Sequence, residues 1–407
     1  MNWKFWMLIC LAVGFCYNTL LRIVQARSTN NPTPENVSDV YDAETYCRWK
    51  RYSGEKSRLH IFSGIASFAV MLSLLLTGAY ATFATLFPQG IFWQLFAVIL
   101  LQTGADALLS LVFDYIETMV IEEKYGFNRS SLKTFLMDQL RNLLLGIFLS
   151  TALMAALAGF HLWMGDWVIV LFTAVLFGFT LIVSFLYPFF SRIGNKFVPL
   201  EEGALKEQLM QLLTKHGYQV KAIEVMDASR RTTKLNAYFT GFGKLKTIVL
   251  YDNLVNAMST DEICAVFAHE LGHGLHKDVL KQQVLNVGNL LLMALAAWLA
   301  VREPQMHLAF GFAEVNYGFA YLLLSFMLGV VQPLTGMVTS AYSRRAEYRA
   351  DRQAVEEGYG VALKEALKKL SRENFVHLAP SKLLVVLEYS HPPLSQRLEA
   401  LEEAENK

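Results

Sequence analysis

The sequence predicts a mostly α-helical, polytopic membrane protein of seven helices that carries a smaller α+β domain on one side of the bilayer. Two bulk properties and one pattern carry this expectation. Hydrophobic residues make up 54% and charged residues 17% of the 407 residues, more apolar than a soluble chain of this length needs to fill a core. Mean hydropathy is +0.33. Seven apolar stretches, each near the roughly 20 residues that cross a bilayer, alternate with polar connections.

In chain order the predicted spans are 5–24, 61–87, 91–113, 143–163, 167–190, 284–301 and 317–339. The first follows Lys4 and has no small-residue cleavage site after it, so it reads as a retained helix rather than a leader. Basic residues orient the set. Arg27, Arg48, Lys50, Arg51, Lys56 and Arg58 lie between spans one and two, and Lys124, Arg129, Lys133 and Arg141 between spans three and four. The alternate connections at Pro88-Gln89-Gly90 and Met164-Gly165-Asp166 have none, and the last has Arg302 alone. The positive-inside rule then puts the N-terminus outside and the C-terminus in the cytoplasm. The expected organisation is five spans with their loops in 1–190, a soluble part in 191–283, two more spans in 284–340 and a second soluble part in 341–407.

The chemistry is concentrated in Val266-Phe267-Ala268-His269-Glu270-Leu271-Gly272-His273-Gly274. This is H-E-x-x-H inside an apolar-periodic segment, preceded by Ser259-x-x-Glu262, which reads as a capping box. Residues four apart on a helix share a face, so His269 and His273 suit one zinc ion, with Glu270 placed to reach water beside it. The bland alternative is two surface histidines on an amphipathic helix. A third ligand is needed. His276 lies about 10 Å along the axis from His269, too far to close on the same ion without bending the helix. Glu347, in Ser343-Arg344-Arg345-Ala346-Glu347-Tyr348-Arg349-Ala350-Asp351, is the better candidate. Spans six and seven leave and re-enter the cytoplasmic face on either side of this distance in sequence, so a membrane hairpin returns Glu347 to the histidines. Asp351, one turn further, would accept a hydrogen bond from a zinc-bound histidine; taken alone, both acids would read as an exposed helix face.

Three further candidates lie outside the helix. The runs 234–240 and 246–251, separated by Gly241-Phe242-Gly243, read as a β-hairpin, and gluzincin-type peptidases hold extended substrates along such an edge. Asn236 at its centre would bond a substrate backbone, or else serve the hairpin rim. Tyr389-Ser390-His391-Pro392-Pro393-Leu394 fixes His391 in a rigid turn, a donor for a developing oxyanion with Arg397 as a supporting charge; by default His391 is a surface histidine. A structural zinc site in a membrane receptor or transporter would have no use for Glu270, which favours an enzyme.

These stretches bring the chain to a known family. Together with IEEKYGFNR (121–129), NKFVPLEEGA (195–204), LNAYFTGFGKLKTIVLYDN (235–253), SRRAEYRAD (343–351) and YSHPPLSQRL (389–398), it resembles the CAAX prenyl protease type 1 family of integral-membrane zinc endopeptidases. The resemblance implies one zinc ion at His269, His273 and Glu347, Glu270 as general base, and His391 with Arg397 near the reacting carbonyl. It also implies seven helices around a chamber closed by the peptidase domain, and prenylated CAAX-type or other membrane-delivered peptides as substrates, with membrane-protein quality control as the alternative. The short connection 302–316 and an end without a retrieval signal resemble a bacterial or minimal member, which points to a bacterial inner membrane rather than the endoplasmic reticulum.

The rest is quieter. Asp106 and Asp114 sit in or near span three, where a carboxylate faces a cavity or a partner. Cys10, Cys16, Cys47 and Cys264 have no metal-ligand spacing. The sequons at Asn36 and Asn128 fall in loops assigned to the cytoplasm. A net charge of +1 without a basic array offers nothing to nucleic acid.

Overall fold

In the computed structural model, the residues described are 2–128, 130–190, 192, 195–218, 222–230, 235–240 and 247–406. Sixteen α-helices and one four-stranded sheet account for most of them, in two compact units. Unit 1 comprises Met1–Thr29, Arg48–Leu176 and Val287–Gly336; unit 2 comprises Asn30–Cys47, Phe177–Asn286 and Met337–Lys407.

Unit 1 holds the membrane helices. The N-terminal run is α1 (Trp3–Ser28), α2 (Ala43–Leu76), α3 (Ala79–Ala84), α4 (Ile91–Tyr115), a π-helical turn Ile116–Glu122, and α5 (Glu123–Tyr125). Next come α6 (Leu132–Met164) and α7 (Val168–Phe190). Among the described residues, six helical stretches are long and apolar enough to cross a membrane. The longest, Leu132–Ile182, is broken by the turn Gly165–Trp167 into α6 and α7, which gives the seven expected helices.

Span two differs from the sequence expectation. The helix begins at Ala43, because its polar first half has no proline, and it stops at Leu76, where Gly78 with φ 70° turns the chain into α3. The core of unit 1 is built on Tyr80, Leu95, Met154, Leu157 and Phe319. Gly318 of the last span lies against the Leu95 backbone, leaving no room for a Cβ, the small-residue approach that membrane helices favour.

Unit 2 starts from β1 (Phe197–Pro199), α8 (Ala204–Lys215), β2 (Ala222–Met226), β3 (Ala237–Thr240) and β4 (Thr247–Tyr251). The sheet order is β1-β2-β4-β3. β4 pairs parallel with β2 and antiparallel with β3, which forms the edge. The expected hairpin is therefore present as β3 and β4, with its turn and Lys234 outside the described residues.

Helices α9 (Asp252–Ala257) and α10 (Thr260–Leu275) follow. α10 opens with the capping box: Ser259 Oγ accepts from Glu262 N (3.3 Å) and Glu262 Oε2 accepts from Ser259 N (2.7 Å). Residues Glu262 to His269 are all buried, so this helix is the centre of the unit rather than a surface element. It ends where the His276 ring bonds the Gly272 carbonyl (Nδ1 to O 2.8 Å) and Lys277, with φ 55°, swings the chain into α11.

α11 (Asp278–Arg302), α12 (Pro304–Leu308) and α13 (Tyr317–Glu356) form the last membrane hairpin. α13 runs for 40 residues, through Pro333 and well past the expected end of span seven at 339. Glu347 and Asp351 thus ride on the extension of a membrane helix beyond its apolar stretch. α14 (Gly360–Glu373), α15 (Lys382–Leu387) and α16 (Leu394–Glu405) complete the chain. The strap 30–47 is pinned to this end: Asn31 and Asn36 donate to the carbonyls of Ala379 and Ser395 (both 2.9 Å), and the Tyr41 hydroxyl to Ser371 and Val376.

α10 and α13 cross at a single close point. A Cβ on Gly272 would stand 2.9 Å from Ala350 Cα and 3.0 Å from Gln353 Cβ, inside contact distance of backbone that cannot yield locally. On propensity alone Gly272→Ala would gain about 1 kcal/mol in helix α10. We expect the reverse in the thermal unfolding of detergent-solubilised protein: Gly272→Ala loses more stability than Ser259→Ala, whose lost cap costs about 1 kcal/mol. A Gly272→Ala protein as stable as the parent would refute this packing.

Candidate functional site

α10 supplies His269, Glu270 and His273; α13 supplies Glu347 and Asp351; the turn before α16 supplies His391, and α16 itself Arg397. His269 and His273 stand one above the other on α10 with ring centroids 4.8 Å apart and planes at 87°. Both Nε2 atoms face the Glu347 carboxylate, His269 at 3.5 Å from Oε2 and His273 at 3.4 Å from Oε1. Two ligands at about 2.05 Å on a tetrahedral ion lie roughly 3.3 Å apart, so these separations suit donors arranged around a common centre. The three donor atoms lie within 4.8 Å of one another. Glu347 Oε2 is buried without a hydrogen bond, which leaves its lone pairs open to a ligand bond. Two imidazoles and a carboxylate form a donor set that fits a divalent transition metal.

The remote ring nitrogens are held by two carboxylates. Asp351 Oδ1 accepts from His269 Nδ1 at 2.8 Å, and Asp278 Oδ2 from His273 Nδ1 at 3.1 Å. Each acid is in turn held by an arginine. Arg397 grips Asp351 with both edges of its fork, Nη2 to Oδ1 at 2.6 Å and Nε to Oδ2 at 2.9 Å. Arg349 Nη2 reaches Asp278 Oδ1 at 2.7 Å, where the Tyr342 hydroxyl also donates at 2.9 Å. With the far nitrogen held by a carboxylate, each imidazole turns its Nε2 inward toward Glu347.

Burial acts against a charge on His273, but the Glu347 carboxylate outweighs it, with Asp278 adding, and its pKa is pushed up to about 9. Burial likewise opposes charge on Arg397, and Asp351 followed by Glu347 reverses the balance, raising it above its ordinary value.

The expected residues fall around one cavity of about 340 Å³, which Asn236, Glu270, His391 and Arg397 line together with the three candidate ligands. His391 and Asn236 are the exposed members; His391 Nε2 lies 3.3 Å from Glu347 Oε1 and its Nδ1 2.9 Å from Ser390 Oγ. Arg397 is buried, and its fork is occupied by Asp351, with Nη1 3.3 Å from Glu347 Oε2. Asn236 precedes the edge strand β3 and accepts from Tyr251 N through its main-chain oxygen (3.1 Å). His276 stays outside the cluster. Asp278, Tyr342 and Arg349 were not singled out from the sequence. An acid opening a membrane helix is explained well enough by the helix dipole, and only the Lys277 turn brings it under His273.

Comparisons agree across the whole length. Residues 199–405 match the family model described as Peptidase family M48, and residues 22–192 match that described as CAAX prenyl protease N-terminal, five membrane helices. The chain is 30% identical to a CAAX prenyl protease 1 homolog of Oryza sativa, over 97% of this chain and 96% of the relative. It is 29% identical to CAAX prenyl protease 1 of Saccharomyces cerevisiae, over 92% and 89%. The crystal structure of S. mikatae Ste24p superposes with a TM-score of 0.88 at 26% identity, over 99% of both chains. Since the plant relative is matched over nearly its full length, compactness does not set this chain apart as a bacterial form. The chain belongs to peptidase family M48, as a multi-pass integral-membrane metallopeptidase of the CAAX prenyl protease 1 kind.

Proposed function

We propose that the protein is a zinc-dependent endopeptidase that cuts peptides delivered from the membrane, prenylated CAAX-type C-termini among them, with its active site on the cytoplasmic face. The observation that carries this reading is Glu270: an acid beside two metal-facing histidines, on a cavity open to a donor and a strand edge. A structural zinc site closes with a fourth protein ligand. Among the described residues the cluster has three.

In this reading His269, His273 and Glu347 hold the zinc ion. When bound, the ion supplies Lewis acidity, polarising the scissile carbonyl and making water acidic enough to lose a proton near neutral pH. Glu270 takes that proton and later delivers it to the leaving amine. His391, exposed and anchored through Ser390, donates toward the oxyanion. Arg397 holds Asp351 and thereby His269. The open edge of β3, reached past Asn236, pairs with the substrate main chain as an added strand. The names of the relatives support a prenylated substrate, and the membrane setting of the fold supports delivery from the bilayer.

Sidedness follows from the basic loops, and the strap supports it. Residues 30–47 belong to the compact unit that carries the site. Their sequon asparagine, Asn36, spends its amide on the Ser395 carbonyl, and an amide committed in this way suits a compartment without glycosylation.

Two measurements test the assignment. In purified protein, Glu270→Ala should keep its metal by elemental analysis and lose peptidase activity by about 10³-fold or more, while His273→Ala should lose both. Near-normal turnover by the Glu270 variant would end the proposal. Asp278→Ala should weaken zinc retention against a chelator by about 10- to 100-fold, and Asp351→Ala should do the same. Equal retention by Asp278→Ala and the parent would remove Asp278 from the site.

A further inference from the structure

Unit 1 contains a second polar assembly, remote in sequence from the metal ligands. The π-helical turn after α4 directs Glu117 and Glu122 toward Lys56 on α2, with Lys56 Nζ 2.6 Å from Glu117 Oε1 and 3.4 Å from Glu122 Oε1. Glu117 Oε2 also meets His60 Nε2 at 2.8 Å. With its Nε2 proton given to Glu117, His60 offers Nδ1 as an acceptor, and Arg22 Nη1 donates to it at 3.3 Å. Lys56 and His60 stand against the acidic side of this network. Arg22 at its end meets the His60 ring, and no carboxylate among the described residues pairs with it.

A separate chain ends in the opposite charge. The buried Tyr80 hydroxyl donates to Gln102 Oε1, which fixes the Gln102 amide so that Nε2 donates to Asp106 Oδ2 at 2.8 Å. Asp106 has no cation beside it among the described residues. Arg22 and Asp106 line the same cavity, about 460 Å³, together with His60, Ser63 and Ser67. Its opposite wall is apolar, built on the stacked rings of Phe15 and Phe68 (centroids 4.1 Å apart). A second cavity of about 280 Å³ continues past His60 and Asp106 to Asp114 and Glu117. Ionisable groups among membrane helices are costly unless they face water or a partner. Here one cation and one anion stand exposed at the same cavity without neutralising each other.

We infer that this cavity binds a zwitterion bearing apolar groups, its anionic end on Arg22 and its ammonium on Asp106. Two sources share that chemistry. One is a short peptide with both termini free, which is what an endopeptidase releases from a chain end; this source rests on the function proposed above. The other is a phosphatidylethanolamine headgroup. The peptide is favoured by the serines and His60 along the wall, which suit main-chain amides.

The test is equilibrium binding of trileucine to the full-length, detergent-solubilised Glu270→Ala protein, which cannot turn it over. N-acetylation and C-terminal amidation should each weaken binding about tenfold or more. In Arg22→Gln the penalty for amidation should vanish while that for acetylation persists; in Asp106→Asn the pattern should invert. Both variants are close in shape to the parent, and an unchanged melting temperature shows that they fold. If phosphatidylethanolamine in nanodiscs binds with the same dependence on Arg22 and Asp106 and trileucine does not, the lipid is the occupant. Binding of neither ligand, or discrimination that survives both substitutions, overturns the inference. Failure of the parent enzyme to cleave a reporter peptide, with the binding pattern intact, would instead overturn the proposed function.

Discussion

The backbone contact between α10 and α13 governs everything at the site. Gly272 and Ala350 let the two helices meet without side chains between them, and they flank the residues that matter: His269 and His273 on one helix, Glu347 and Asp351 on the other. At this separation a glutamate is long enough to bring its carboxylate to both Nε2 atoms, while an aspartate one turn on reaches only the back of His269. A single methyl group at Gly272 would change both distances together. Donor set and helix packing are one constraint.

Around that contact the charges form two parallel chains, His269 with Asp351 and Arg397, and His273 with Asp278 and Arg349. A buried carboxylate alone would be strongly destabilising; paired with an arginine and bonded to an imidazole it becomes a fixed orienting group. The chains differ in origin. The first joins α10, the last turns of α13 and α16. The second is anchored at the first residue of α11, so the orientation of His273 is tied to the point where the chain turns into the bilayer.

Much of this could be read from residues alone because the signals are local. H-E-x-x-H with its capping box needs only helical spacing, and the spans need only length and apolarity. The pairing of Glu347 with the histidines was legible through topology, since a hairpin of two spans returns the chain to its starting side. What escaped depended on single backbone angles and on contacts distant in sequence. Gly78 ends α2 eleven residues before the apolar run does. Lys277 turns Asp278 beneath His273. Arg397 looked like a charge for the reacting carbonyl because its partner, Asp351, lies 46 residues away and reaches it only through the packing of α16. The strap 30–47 read only as part of the connection between spans one and two, and its anchoring carbonyls are more than 300 residues downstream.

The length of α13 has a biosynthetic corollary. One unbroken rod carries both a bilayer crossing and the acid that completes the donor set, 74 positions after His273. A nascent chain emerging from the ribosome therefore exposes its two imidazoles long before it owns a carboxylate to close on them. Until the final hairpin has been inserted, the newborn polypeptide lacks the carboxylate of the proposed donor set.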